Sequence, residues 1–128
     1  MKHEPLFRGS AVALVTPLRG GKVDVEALHR LVEMHVDNGT AAIVACGTTG
    51  ESSTLTHEEH IGVMRAAVEQ AAGRIPVISG TGSNDTAYCI ELSQEAEKLG
   101  ADALLLVTPY YNKTSQRGLV AHYTAVAD

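Results

Sequence analysis

Gly47-Thr48-Thr49-Gly50-Glu51-Ser52 sets two adjacent threonine hydroxyls between two glycines, directly after the apolar run Ala41-Ala42-Ile43-Val44-Ala45-Cys46. Hydroxyls and backbone N–H groups brought together make a site for a small anion. The glycines are expected to supply positive φ and close backbone approach. The end of a buried strand is also the right place, because parallel α/β sheets bind ligands at the carboxyl ends of their strands. A plain polar strand-to-helix turn has the same composition, and these residues alone leave both readings open. A second polar segment, Thr108-Pro109-Tyr110-Tyr111-Asn112-Lys113, follows Val107. The chain has four Tyr, one Phe and no Trp, yet two of the Tyr stand side by side here. A Tyr hydroxyl beside a Thr hydroxyl can relay protons in a dry site. Packing at an interface is the simpler role for such a pair.

Other chemistries find less support. His57-Glu58-Glu59-His60 spaces its histidines at i and i+3, whereas a zinc-protease helix needs them at i and i+4. No metal is expected there, and the segment reads as a polar first turn whose acids favour the helix dipole. There is no GxxxxGK[ST] loop and no complete GxGxxG, only Gly80-Thr81-Gly82, so no nucleotide cofactor is expected. A net charge of −5 and a pI near 5.6 offer no basic surface for nucleic acid. No apolar run approaches membrane-spanning length, and Met1-Lys2-His3-Glu4-Pro5 has no signal-peptide core. Cys46 and Cys89 lack CxxC or metal spacing and read as reduced, buried thiols of a cytoplasmic protein.

The elements that must position these residues repeat four times. Strands are expected over Ser10–Val15, Ala42–Cys46, Pro76–Gly80 and Ala103–Val107, with centres 30, 34 and 28 residues apart. Amphipathic helices separate them. Leu28, Leu31, Val32, His35 and Val36 stripe the first at helical spacing, and Met64, Ala67, Val68, Ala71 and Ala72 the second. Cys89, Leu92, Ala96 and Leu99 stripe the third; Leu119, Tyr123 and Val126 the fourth. Asp24, Thr56, either Ser83 or Asn84, and Ser115 suit the N-caps, Thr56 forming a capping box with Glu59. Gly39, Gly73 and Gly100 suit the helix ends. Continuous apolar strands imply a sheet covered on both faces, and strand–helix–strand units imply that it is parallel. The 128 residues therefore read as one α/β domain: a parallel (β/α)4 half of a (β/α)8 TIM barrel, which typically needs ~250 residues. A small open four-stranded sheet is the alternative. Polar loops after every strand, sharing one rim, favour the half-barrel.

Gly47 to Ser52, continuing through His57-Glu58-Glu59-His60, and Thr108 to Lys113 together resemble the dihydrodipicolinate synthase (4-hydroxy-tetrahydrodipicolinate synthase) family. The likeness runs from Gly9-Ser10-Ala11 and Val15-Thr16-Pro17 to the fourth helix. It implies a (β/α)8 barrel that condenses pyruvate with aspartate semialdehyde in lysine biosynthesis, with no cofactor. It further implies that Thr48 and Thr49 hold the pyruvate carboxylate. Thr48 and Tyr111 would be catalytic, in a proton relay, with Tyr111 reaching a neighbouring subunit's site in a homo-oligomer (dimer or tetramer). Ser52, His57, His60, Asn84 and Tyr110 match positions that bind feedback lysine in some members. Tyr88 replaces an acid of that set, and Thr114 a common proline.

The family's Schiff-base lysine lies on a sixth strand, beyond Asp128. The chain's own lysines are Lys2, Lys22, Lys98 and Lys113, of which only Lys113 falls on the functional rim. These 128 residues are therefore expected to be inactive alone, and to self-associate through the edges of the first and last strands. The alternatives are a sugar-acid or N-acetylneuraminate-type aldolase of the same superfamily, and a non-catalytic half-barrel that binds or assembles. Thr48-Thr49 and Tyr110-Tyr111-Asn112 favour the synthase.

Overall fold

The computed structural model describes residues 4–128. In chain order it contains β1 (Ala11–Ala13), β2 (Leu18–Arg19), β3 (Lys22–Val23), α1 (Val25–Asp37), β4 (Ala42–Ala45) and α2 (His57–Ala71). These are followed by β5 (Val77–Gly80), α3 (Thr86–Leu99), β6 (Ala103–Leu105) and α4 (Gln116–Ala127). Strands β1, β4, β5 and β6 form a parallel sheet in that order. Their register sets Val12 against Ile43, Ile43 against Val77, and Ser79 against Leu104. The expected (β/α)4 order is present, with strands shorter than their apolar runs because the flanking residues turn into loops.

Helix starts follow local chemistry. Asp24 accepts from the Ala27 N–H at 3.0 Å. Thr56 and Glu59 form the capping box, each side chain accepting from the other's backbone N–H at 3.2 and 3.0 Å. Ser115 accepts from the Gly118 N–H. At α3 neither Ser83 nor Asn84 is the cap. Asp85 is, accepting from Ala87 and Tyr88 N–H groups, while Ser83 turns its hydroxyl to the Asp85 N–H. A carboxylate stabilises the positive end of the helix more than a hydroxyl does. Gly39, Gly73 and Gly100 sit past their helices at φ 73°, 71° and 89°, although α2 turns left-handed one residue earlier, at Ala72. Gly20 and Gly21, at φ 59° and 77°, join β2 to β3 in a two-residue hairpin that the strand periodicity did not anticipate.

The core lies between the sheet and the helices. Leu28 and Val32 of α1, Val63 and Met64 of α2, and Leu92 and Ala96 of α3 close over Ile43 and Val77. Each large aliphatic buried there contributes about 1.5–3 kcal/mol. His60 and Val63 join this face, whereas Ala72, expected on it, is exposed at the left-handed helix end. On α4, His122 is the buried residue; Leu119, Tyr123 and Val126 are only partly covered. The expectation of a sheet covered on both faces is not met among the described residues. The face carrying Ala13, Val44, Ile78 and Leu105 is half-buried or exposed, because the helices pack on the opposite side. No helix is long and apolar enough to cross a membrane among the described residues.

Candidate functional site

The Gly47–Ser52 loop leaves β4 in a tight, hydrogen-bonded path. Gly50 N–H donates to the Gly47 carbonyl at 3.1 Å, and Glu51 N–H to the Thr48 carbonyl at 3.0 Å. Thr16 Oγ1, from the loop after β1, donates to the Gly50 carbonyl at 2.7 Å in a buried bond. The glycines do not have positive φ, contrary to expectation. The left-handed residues are their neighbours Cys46 (φ 56°) and Glu51 (φ 57°). Gly50 is needed for room instead: a Cβ there would lie 3.1 Å from the Leu14 carbonyl and 3.2 Å from Thr16 Oγ1. The result exposes Thr48 and Thr49 at the end of β4 while the surrounding Cys46, Gly47 and Gly50 are buried.

Behind the loop, three residues lock β4 to β5. The Cys46 thiol donates to the His60 carbonyl at 3.7 Å, and His60 Nε2 donates to the Gly80 carbonyl at 2.7 Å. Burial pushes the Cys46 thiol up to about 12 and pushes His60 below its ordinary pKa. A Cβ on Gly80 would overlap the Cys46 carbonyl, and one on Gly82 would overlap the Val107 N–H. Only glycine fits either place. No periodicity marks His60 as a core residue; it reads as part of a polar first turn, yet only 4% of it is exposed. The Cys46–His60–Gly80 lock was missed in the sequence, although Gly80-Thr81-Gly82 carried a signal for its glycines.

Cys46, Gly47, Thr48, Ser52, Gly80, Gly82, Leu105 and Val107 line a cleft of about 160 Å³ at the carboxyl ends of the strands. A larger cavity, about 490 Å³, lies at the far end of β6 against α3 and α4, remote from the threonines. The small cleft is the candidate site because Thr48 lines it, with Thr49 adjacent in the chain, where the ends of β4, β5 and β6 meet. Among the described residues no cluster of three His, Cys, Asp or Glu side chains can hold a metal ion.

The Thr108–Lys113 loop is built differently. Tyr111 has φ 70° and is 96% exposed. A bulky residue held left-handed stores about 1–3 kcal/mol of strain. Tyr110 is half-exposed and Lys113 exposed. Asn112 Nδ2 donates to the Asn84 carbonyl at 3.2 Å, joining this loop to the one after β5. Of the other expected residues, His57 Nδ1 meets the Tyr88 hydroxyl at 3.2 Å, and its Nε2 lies 3.7 Å from Glu91. Ser52 lines the cleft, while His60 turns away into the core.

A parallel β/α sheet with its polar loops on a single rim is the arrangement found in one part of a β/α barrel. The profile of the Dihydrodipicolinate synthetase family matches residues 6–128, and the chain belongs to that family. It is 61% identical over 123 residues to the 4-hydroxy-tetrahydrodipicolinate synthase of Geobacter metallireducens, covering 96% of this chain and 42% of that protein. The Acinetobacter baumannii dihydrodipicolinate synthase, solved in complex with pyruvate, superposes with a TM-score of 0.91 at 57% identity, covering 93% of this chain and 41% of that one. The lysine-bound Cyanidioschyzon merolae enzyme gives 0.93 at 42% identity, covering 97% and 43%. The chain thus spans less than half the length of the relatives it matches.

Proposed function

We propose that these residues are the N-terminal (β/α)4 part of a 4-hydroxy-tetrahydrodipicolinate synthase, a cytoplasmic homo-oligomer that condenses pyruvate with aspartate semialdehyde in lysine biosynthesis. The observation that carries the reading is the exposed Thr48-Thr49 pair beside the cleft at the end of β4. The pair offers two hydroxyls to a carboxylate, and the buried Thr16–Gly50 bond holds the loop backbone that carries them. Pre-set donors cost no reorganisation when charge develops. Thr48 and Tyr111 then move protons to and from the condensing carbons. Tyr111, strained and almost fully exposed, reaches the site of a second subunit rather than packing on its own chain.

On this reading the Schiff-base lysine comes from outside these 128 residues. Lys22, Lys98 and Lys113 are not placed in the cleft, and Lys2 lies outside the described residues. The 128 residues, treated with pyruvate and borohydride, are expected to show no adduct by mass spectrometry. A full-length chain carrying them is expected to show one stoichiometric adduct outside residues 1–128. An adduct on Lys113 would overturn this division of labour. Ser52, His57, Asn84 and Tyr110 remain the proposed positions for a feedback lysine; His60, 4% exposed and bonded to the Gly80 carbonyl, stands behind them in the core. Tyr88 stands where some relatives have an acid, and its hydroxyl occupies His57. Calorimetry of the full-length chain is expected to give weak lysine binding, restored by Tyr88→Glu.

A further inference from the structure

Within its own chain Tyr111 is so exposed that the backbone of its loop, not packing against that chain, sets the direction in which its side chain leaves the fold. That backbone has a defined shape. The Asn112 N–H donates to the Tyr110 carbonyl at 2.9 Å, an i to i+2 bond closed around Tyr111 at φ 70°. This is the rarer, left-handed γ-turn, which is strained and persists only where its surroundings overdetermine it. Two side chains supply the restraint. Downstream of the turn, Asn112 Nδ2 donates to the Asn84 carbonyl at 3.2 Å, just ahead of α3. Upstream, the Tyr123 hydroxyl on α4 donates to Thr108 Oγ1 at 3.3 Å. The helix carrying Tyr123 is itself anchored, because the adjacent His122 is buried and its Nδ1 meets Thr86 Oγ1 of α3 at 2.9 Å. The bonds form a closed ring running from α3 through α4, Thr108, the turn and Asn112 back to Asn84.

We propose that Asn112 and Tyr123 are positioning residues for Tyr111, clamping the two sides of the γ-turn that aims its hydroxyl away from its own chain. The proposal rests on the relay role given to Tyr111 above. Neither residue acts on the reacting atoms; each acts through Tyr111. Without a clamp the turn relaxes toward negative φ and the hydroxyl moves. A misplacement of about 1 Å costs up to ~10²-fold in rate, so losing one of two clamps is expected to cost about tenfold.

The test uses a full-length chain carrying these residues. Asn112→Ala and Tyr123→Phe are each expected to lower kcat about tenfold, with KM for pyruvate within about twofold and borohydride trapping unchanged. In a Tyr111→Phe background the same substitutions are expected to add nothing, since the hydroxyl they aim is gone. An additive loss in that background, or wild-type kcat in both single variants, overturns the proposal. Hydrogen exchange at the Asn112 amide judges the geometry without reference to activity. Its protection should fall in both variants, and unchanged protection overturns the clamp even if rates fall. Full activity of Tyr111→Phe alone would instead overturn the relay reading, and the exchange measurement then decides the clamp.

Discussion

The loops after β4 and β6 carry the two parts of the proposed chemistry, and they are held in opposite ways. The Gly47–Ser52 loop is tied from beneath by buried contacts: Thr16 to Gly50, Cys46 to His60, His60 to Gly80. Its threonines are presented by a scaffold wholly within this chain. The Thr108–Lys113 loop is tied by two long hydrogen bonds on the surface, and its central residue is strained and 96% exposed. A binding subsite needs only a rigid platform. A residue that serves a neighbouring subunit must leave its own fold, so strain and exposure take the place of packing.

If the comparison is right, the two loops fail differently. In a full-length chain, Tyr111→Phe is expected to lower kcat by about 10²–10⁴-fold, the usual contribution of an acid–base group, with pyruvate binding intact. Thr48→Val should lose a comparable rate and also raise KM for pyruvate, because it removes a hydroxyl from the carboxylate site. Steady-state kinetics with borohydride trapping separate the two. Near-wild-type kcat for Tyr111→Phe would reduce it to an interface residue.

A smaller effect tests the scaffold beneath the first loop. Gly80→Ala drives a methyl into the Cys46 carbonyl, which is backbone and cannot swing aside. The expected loss is about 1–3 kcal/mol in a urea or thermal melt, the range of overpacked cores. Gly62→Ala, at a half-buried position of α2 where an added methyl meets nothing within 4 Å, serves as the control and should cost nothing. Equal stability of the two variants would show that the strand-end lock is looser than its geometry.

The smallest effect concerns pH. Burial holds His60 neutral, with its folded pKa below the ordinary 6.5. Above pH 6.5 neither the folded nor the unfolded state binds this proton, so the contribution to stability is complete. As pH falls from 6.5 toward the lowered folded value, the unfolded state takes up the proton first and stability declines. His60→Gln is expected to flatten that part of a stability–pH profile. An unchanged slope would assign the titration to another group.

Periodicity and punctuation carried much of the fold. Four apolar runs, the Asp24, Thr56 and Ser115 caps and the three helix-ending glycines act within a few residues of themselves, so they are legible in one dimension. The site motifs were legible for the same reason: Thr48-Thr49 and Tyr110-Tyr111 are contiguous, and strand-end loops share one rim. Tertiary contact decided the rest. Gly50 and Gly80 are small because of atoms 30 or more residues away, Leu14 and Thr16 for the first and Cys46 for the second. His60 became a core residue because α2 rolled it onto the Gly80 carbonyl, a partner 20 positions along. Tyr111 took a positive φ that no propensity for tyrosine favours, held by Asn84 and Tyr123 from two other parts of the chain. Local rules state which elements form, while steric exclusion and hydrogen bonding between distant segments determine which residues they bring together.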